Sequence, residues 1–195
     1  MKLRMSGVVA GLFATGAAFL SSCSSSTSSN PTPTPTAQVI WQNGALGCWA
    51  GNCGTGGMTI SDQGFTHQTT ASNTLEIDGM PKSGSGVLFG SWQTKIQLLN
   101  TENQNGYANG HLEFDIMLGQ PASAYAGIGV SAGNGCPNWV QLSPGSLSQS
   151  AFTHISVPLP TCTINYPTLF VVTLTGTSAN SLPALYLNNV EWTTN

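Results

Sequence analysis

From Gln38 onward, apolar and polar residues alternate in short runs, and no segment of ten or more residues carries a 3.6-residue stripe. The clearest run is His111–Leu118, HLEFDIML. Leu112, Phe114, Ile116 and Leu118 fall on one side, and His111, Glu113, Asp115 and Met117 on the other. Successive side chains of a strand leave opposite faces, so this spacing predicts a half-buried strand. Further strands are predicted over Gln38–Gln42, Asn73–Ile77, Gly86–Trp92, Lys95–Leu99, Ala126–Ala132, Trp139–Leu142, Phe152–Leu159, Leu169–Thr175 and Leu185–Trp192. Leu169–Leu174 is apolar on both faces, as in a central strand covered from both sides. In Leu185–Trp192 the alternation slips at Asn188-Asn189, which predicts a bulge. Turn pairs separate the runs at Asn43-Gly44, Asp78-Gly79, Asn105-Gly106, Asn109-Gly110, Asn134-Gly135 and Pro144-Gly145. Gly54-Thr55-Gly56-Gly57 reads as a loop, too short and uncharged to cradle phosphate. About ten short strands at this spacing predict an all-β fold, a β-sandwich or jelly roll, with Trp41 and Trp192 in its core.

The first 37 residues follow a different pattern. Lys2 and Arg4 precede an uncharged apolar run, Ser6–Leu20, too short to cross ~30 Å of hydrocarbon comfortably. A positive head, a short apolar stretch and small residues read as a secretory signal. Leu20-Ser21-Ser22-Cys23 resembles the lipobox of bacterial lipoproteins. That resemblance implies a signal peptide over 1–22, acylation of Cys23 and anchoring to a membrane by the attached chains, which bind at ~0.8 kcal/mol per buried methylene. Ser24, where an Asp would imply retention at the inner membrane, implies the outer membrane of a cell envelope. Residues 23–37 then form the lipidated cysteine and a Ser/Thr/Pro linker, SSSTSSNPTPTPTA. At ~3.1 Å per residue this linker would lift a domain roughly 40 Å from the bilayer. The remaining residues, 38–195, are read as one folded domain.

Charge narrows the choice of partner. Only 6% of the residues are charged, and beyond Cys23 two basic residues face seven acidic ones. A nucleic-acid binder needs clustered Lys and Arg, so nucleic acid is excluded. Four cysteines remain after Cys23: Cys48, Cys53, Cys136 and Cys162. Of the three pairings that four cysteines allow, Cys48–Cys53 and Cys136–Cys162 are favoured, the second closing about 27 residues for roughly 3.5 kcal/mol. Their spacing is not the paired CxxC of a zinc site, and an exported chain favours disulfides.

Glu113-Phe114-Asp115 invites comparison with laminarinase-like glycosidases, which carry E-x-D-x-x-E on one strand. Leu118 stands where the acid is required, with Gln120 beyond it. His67, His111 and His154 are scattered singly, without a nucleophile elbow. Sugar binding is better motivated, because stacking aromatics and amide side chains suffice for it. Trp49 lies between Cys48 and Cys53, where a disulfide clip would hold it rigidly. Trp139 follows Asn138 and has Gln141 two residues on, on the same strand face. Tyr125 begins a strand whose Ala126, Gly127 and Gly129 would leave room for a ligand, and Trp92 is a further candidate aromatic, as is Tyr186.

The segment Tyr107–Trp192 reads YANGHLEFDIML, AGIGVSAGNGCPNWVQL, FTHISVPLPTC and LYLNNVEW in turn. It resembles the galactose-binding-like jelly roll at the C-terminus of ExoP-type β-glucan glucohydrolases. Asn109-Gly110, Leu112, Phe114-Asp115, Cys136, Ile155–Leu159 and Cys162 carry the match. The resemblance implies a galactose-binding-like fold and an accessory carbohydrate contact, and supplies no catalytic domain. Such folds often hold a structural calcium, for which Asn188, Asn189, Glu191 and the carbonyls near Asn43-Gly44 are the candidate oxygens; no cofactor is otherwise expected. The expectation is a membrane-anchored, non-catalytic lipoprotein that binds a neutral polysaccharide through Trp49, Trp92, Tyr125, Asn138, Trp139 and Gln141. The alternatives are an envelope protein that pairs with a protein partner through a sheet edge and, less favoured, a small glycan-active enzyme.

Overall fold

The computed structural model describes residues 37–49, 52–79, 92–99, 104–132, 139–159, 168–177 and 183–195, with the backbone alone at 52–56, 79, 92–93 and 105. The signal segment, Cys23, the linker through 36, the predicted strand over 86–91, Asn134-Gly135, Cys136, Asn138 and Cys162 lie outside the described residues.

The strands in chain order are β1 (Ala37–Gln42), β2 (Ala45–Leu46), β3 (Cys48–Trp49), β4 (Asn52–Gln63), β5 (Phe65–Thr69), β6 (Leu75–Gly79) and β7 (Trp92–Leu98). They continue with β8 (His111–Leu118), β9 (Tyr125–Ser131), β10 (Val140–Leu142), β11 (Thr153–Pro158), β12 (Thr168–Gly176) and β13 (Leu185–Thr193). They form two antiparallel sheets. One runs β11-β8-β13-β1-β2, with β6 also paired to β13 and β5 outside it; the other runs β10-β9-β12-β7-β4-β3. The fold is therefore the all-β sandwich that the alternation predicts.

β8 has the predicted bounds, and its burial alternates residue by residue from His111 to Leu118. The predicted slip in β13 is a register shift between Asn188 and Glu191, with Asn189 at a positive φ of 47°. Asn43 and Gly44, at φ 52° and 80°, close the β1–β2 hairpin, as the primed turns favoured by Asn-Gly do. Asn109-Gly110 also turns, with Asn109 at φ 66°. A Cβ on Gly110 would meet the Thr193 carbonyl oxygen at 1.8 Å, so only glycine lets β8 start against the end of β13.

Two expectations are corrected. Asp78-Gly79 is no turn: it is the end of β6, paired with Thr66 and Phe65. Gly54–Gly57 is no loop: it belongs to the twelve-residue β4. The first half of β4 pairs with β3 through Trp49↔Asn52 and Cys48↔Gly57, the second half with β7 from Met58↔Leu98 to Gln63↔Gln93, and these pairings outweigh the poor strand propensity of glycine.

The inner faces meet in one core. Phe114 from β8 packs edge-on against Phe170 from β12 across the two sheets, ring centroids 5.5 Å apart. At one end Trp192, Trp49 and Tyr107 make a three-way edge-to-face cluster with centroid separations of 5.6 to 6.0 Å. Trp41 and Trp192 are buried, as expected. Phe114 is fully buried, and truncating a buried aromatic removes both its transfer energy and its contacts. Phe114→Ala should therefore lower the unfolding free energy by about 3–5 kcal/mol at an unchanged denaturant slope. A loss under about 1 kcal/mol in urea titration would contradict this picture of the core.

Candidate ligand-binding face

Residues paired across antiparallel strands point to the same side of a sheet, so the registers define each outer face. On the six-stranded sheet Val140, Val130, Val172 and Thr94 align and face inward. The residues between them face outward. One row runs Gln141, Gly129, Thr173, with the backbone of Gln93 and then Gln63 beyond. The next runs Ser131, Val171, Lys95, Ser61. Ser131 and Val171 are fully buried, whereas Gln141, Ser61 and Gln63 are exposed and Thr173, Lys95, Gln97 and Thr59 half-buried. Apart from Lys95, the described members of this face are uncharged.

Gly129 organises one end of the face. A Cβ there would lie 2.6 Å from Thr173 Oγ1, 3.1 Å from Gln141 Nε2 and 3.5 Å from Trp139 Cε3. The missing side chain thus lets Trp139, Gln141 and Thr173 lie down over the strand. Thr173 also donates its hydroxyl to the Gly129 carbonyl at 3.3 Å. Trp139 stays 46% exposed, against 0–5% for Trp41, Trp49 and Trp192, so among the described tryptophans it alone offers a ring to solvent. The expectation that small residues in β9 leave room for a ligand is corrected here: at Gly129 the room is filled by this platform.

Two predicted sugar contacts are core. Trp49 is buried in the cluster with Tyr107 and Trp192, so it cannot stack on a ligand. Tyr125 is buried, donates its hydroxyl to the Ala184 carbonyl and accepts from the Gly119 and Gln120 backbone N–H groups. Burial raises its pKa, offset in part by those two donors. Its role is to tie three chain segments together. Of the others, Trp139 and Gln141 lie together on the face; the Trp92 side chain and Asn138 fall outside the described set. Tyr186 is on the other sheet, donating to Glu76 at 3.1 Å. Cys48 is disulfide-bonded, and the side chains of Cys53, Cys136 and Cys162 lie outside the described residues. Sequence reasoning missed Thr173, Gln97, Lys95 and Thr59, because their place on this face depends on the pairing of β12, β7 and β4.

The outer face of the seven-stranded sheet is chemically different. His154 on β11 lies between two carboxylates of β8, with Nδ1 2.9 Å from Asp115 and Nε2 3.0 Å from Glu113. Ser156 donates to Glu113 at 2.8 Å, and Asn189 Nδ2 donates to Asp115 at 2.7 Å. Both carboxylates leave one strand on the same side and are occupied by these partners.

The oxygens proposed for calcium do not suit it. Asn189 turns its amide nitrogen to Asp115 and its oxygen to Gln42 Nε2 at 3.4 Å, and Asn188 Oδ1 accepts from the Asn189 backbone at 3.0 Å. Glu191 would be the sole carboxylate of that set, and a calcium site wants several converging oxygens.

The sequence matches no protein-family model and no curated protein. Solved structures do share the fold. A carbohydrate binding module of family 29 superposes with a TM-score of 0.51 at 11% identity, covering 82% of this chain and 89% of that one. A mutant of the CBM29-2 module complexed with cellulohexaose gives 0.52 at 12% identity, with 82% and 92% covered. The exo-1,3/1,4-β-glucanase ExoP from a Pseudoalteromonas species gives 0.50 at 12%, covering 85% of this chain and 21% of that enzyme. Identity this low establishes the fold alone, and at that level the resemblance read from Tyr107–Trp192 holds.

The hydrogen bond to Asp115 is the largest of the influences that raise the His154 pKa; the Asp115 charge and the bond and charge of Glu113 add to it, against a partial desolvation. A raised folded pKa stabilises the protein below the unfolded value of about 6.5, and that contribution is lost as pH rises through the folded pKa. The melting temperature of the protein should thus exceed that of His154→Gln most at about pH 6, with the gap closing toward pH 8 and above. A gap that stays constant over this range would show that the imidazolium contributes nothing.

Proposed function

We propose that the chain is a lipid-anchored, non-catalytic glycan-binding protein of the cell envelope, with its ligand on the outer face of the six-stranded sheet. One observation carries the reading. Trp139 is exposed and rests over Gly129 beside the Gln141 amide, on a face otherwise made largely of Ser, Thr and Gln. An indole face stacks on the C–H side of a sugar ring, and the neighbouring amides and hydroxyls exchange hydrogen bonds with its hydroxyls. A side chain held in place by its floor loses little entropy on binding. The shared fold supports the reading, since the family 29 modules are carbohydrate-binding and one was solved with cellulohexaose. The engagement of Glu113 and Asp115 with His154, Ser156 and Asn189 favours the non-catalytic form.

Lipidation of Cys23 rests on the Leu20-Ser21-Ser22-Cys23 box and the charged, apolar segment before it. Metabolic labelling with palmitate in a bacterial host should mark the protein and fail to mark Cys23→Ala. Equal labelling of the two would remove the anchor from the reading.

The ligand face is tested by titrating the full chain in detergent with β-glucan, mannan, galactan and cellulose fragments while following tryptophan fluorescence. One or more should give a saturable shift, and Trp139→Ala should weaken that affinity at least about tenfold with its melting temperature within a few degrees. Gly129→Ala, which would push Thr173, Gln141 and Trp139 from their seats, should weaken it too. No shift with any polymer would overturn the glycan reading and leave the exposed edge of β11 as the surface to probe by crosslinking.

A further inference from the structure

We propose that this face selects a glycan bearing an acidic group, with the Lys95 ammonium as the charge that reads it. The inference rests on the glycan-binding reading above and adds the class of ligand. Lys95 is the only Lys or Arg among the described residues. It stands on β7, an inner strand of the six-stranded sheet, level with Ser61 on one side and Val171 on the other. The residue is half-buried, as a lysine is when its stem lies along a surface and its ammonium stays in water.

Among the described residues no carboxylate answers it. The ion pairs there all involve histidine: His67 with Asp62, and His154 with Glu113 and Asp115. Asp62 follows Ser61 directly, yet it turns to the other side of β4. There it accepts from the Thr94 hydroxyl at 2.8 Å and pairs with His67. Glu76, Asp78, Glu113, Asp115 and Glu191 all belong to the seven-stranded sheet, where strand alternation puts them on the opposite outer face of the sandwich. Apart from Asp62, the described acids are thus gathered on one face, and the single described cation lies on the other.

Charge segregation of this kind gives Lys95 a local positive potential on a molecule whose net charge is negative. The protein as a whole repels an anionic polymer, so any preference for one must come from a local group. With no described carboxylate beside it, the Lys95 ammonium offers an incoming carboxylate or sulfate a charge-assisted hydrogen bond. Trp139 rests over Gly129 on β9, two strands from Lys95 on β7 and one outward-facing row along, so the two are separated by roughly 12 Å. That span exceeds one sugar ring. The ligand is therefore a chain that stacks on Trp139 at one point and presents its anion at another.

The test uses the full chain in detergent at low salt and polymers that differ only in their anionic group. These are polygalacturonate against its methyl ester, and a sulfated galactan against its desulfated form. The protein should bind one anionic polymer at least about tenfold more tightly than its neutral counterpart, the gain expected of one hydrogen bond to a charged group. The pair that shows the preference identifies the anion as carboxylate or sulfate. In Lys95→Gln that ratio should fall toward one, Lys95→Arg should keep most of it, and about 0.5 M NaCl should erode it. Equal binding of charged and neutral forms, or a ratio unmoved in Lys95→Gln, overturns the inference while leaving glycan binding intact. Failure to bind any polymer overturns both.

Discussion

The indole N–H of Trp192 donates to the Leu169 carbonyl at 3.1 Å, and this one polar bond joins the last strand of one sheet to a central strand of the other. Trp192 is fully buried, and Trp49 and Tyr107 close on it edge-to-face, at centroid separations of 5.8 and 6.0 Å. A buried indole must find an acceptor or lose more than about 1 kcal/mol, so the ring is fixed in angle as well as place. With the ring fixed, the separation of the sheets at this end is fixed as well. Phe114 and Phe170 do the same nearer the middle with dispersion alone. Among the described residues no ion pair crosses between the sheets except His67 with Asp62 at the β4–β5 corner, so cohesion comes from apolar burial and a few polar bonds of this kind.

A sandwich held by its inner faces leaves its outer faces free to differ, and here they do. On the seven-stranded sheet, carboxylates, His154, asparagines and hydroxyls bond to one another across strands, with Glu76 accepting from both Tyr186 and Gln68 in the same manner. Such a surface has turned much of its hydrogen bonding inward. Part of the six-stranded face has not: Gln141 is exposed, and Trp139 has its ring edge on Gly129 and much of its remaining surface in water. The contrast between a self-satisfied face and a partly open one is the physical reason for placing recognition on the second.

The fold was legible because its signals are local. HLEFDIML carries its own period, and the Asn188-Asn189 slip shows in the alternation of a single strand. β4 was not legible: a Gly-rich stretch has no side chains with which to display a period, and its partners β3 and β7 make it a strand. The site was half legible. Trp139 and Gln141 share a face by simple alternation. Trp49 was misread because its neighbours in sequence, two cysteines and several glycines, describe a rigid loop, whereas its neighbours in space, Tyr107 and Trp192, lie far along the chain. Tyr125 fails for the same reason, its hydroxyl being claimed by Ala184 and the Gly119-Gln120 turn.

Gly129 shows how the two kinds of information combine. In the sequence it is one of several small residues in a strand, and a missing side chain suggests an opening. In the fold, β9 has β10 on one side and β12 on the other, and each sends a side chain over the gap: Gln141 from β10, Thr173 from β12, with Trp139 arriving from just before β10. An opening between two populated strands is filled by its neighbours, and the filling determines what the surface presents. Gly129 therefore marks a place where side chains from other strands converge, and the identity of those side chains decides what that place presents. Here they are an indole, an amide and a hydroxyl, a set with both the apolar plane and the hydrogen-bonding edges that a sugar ring requires.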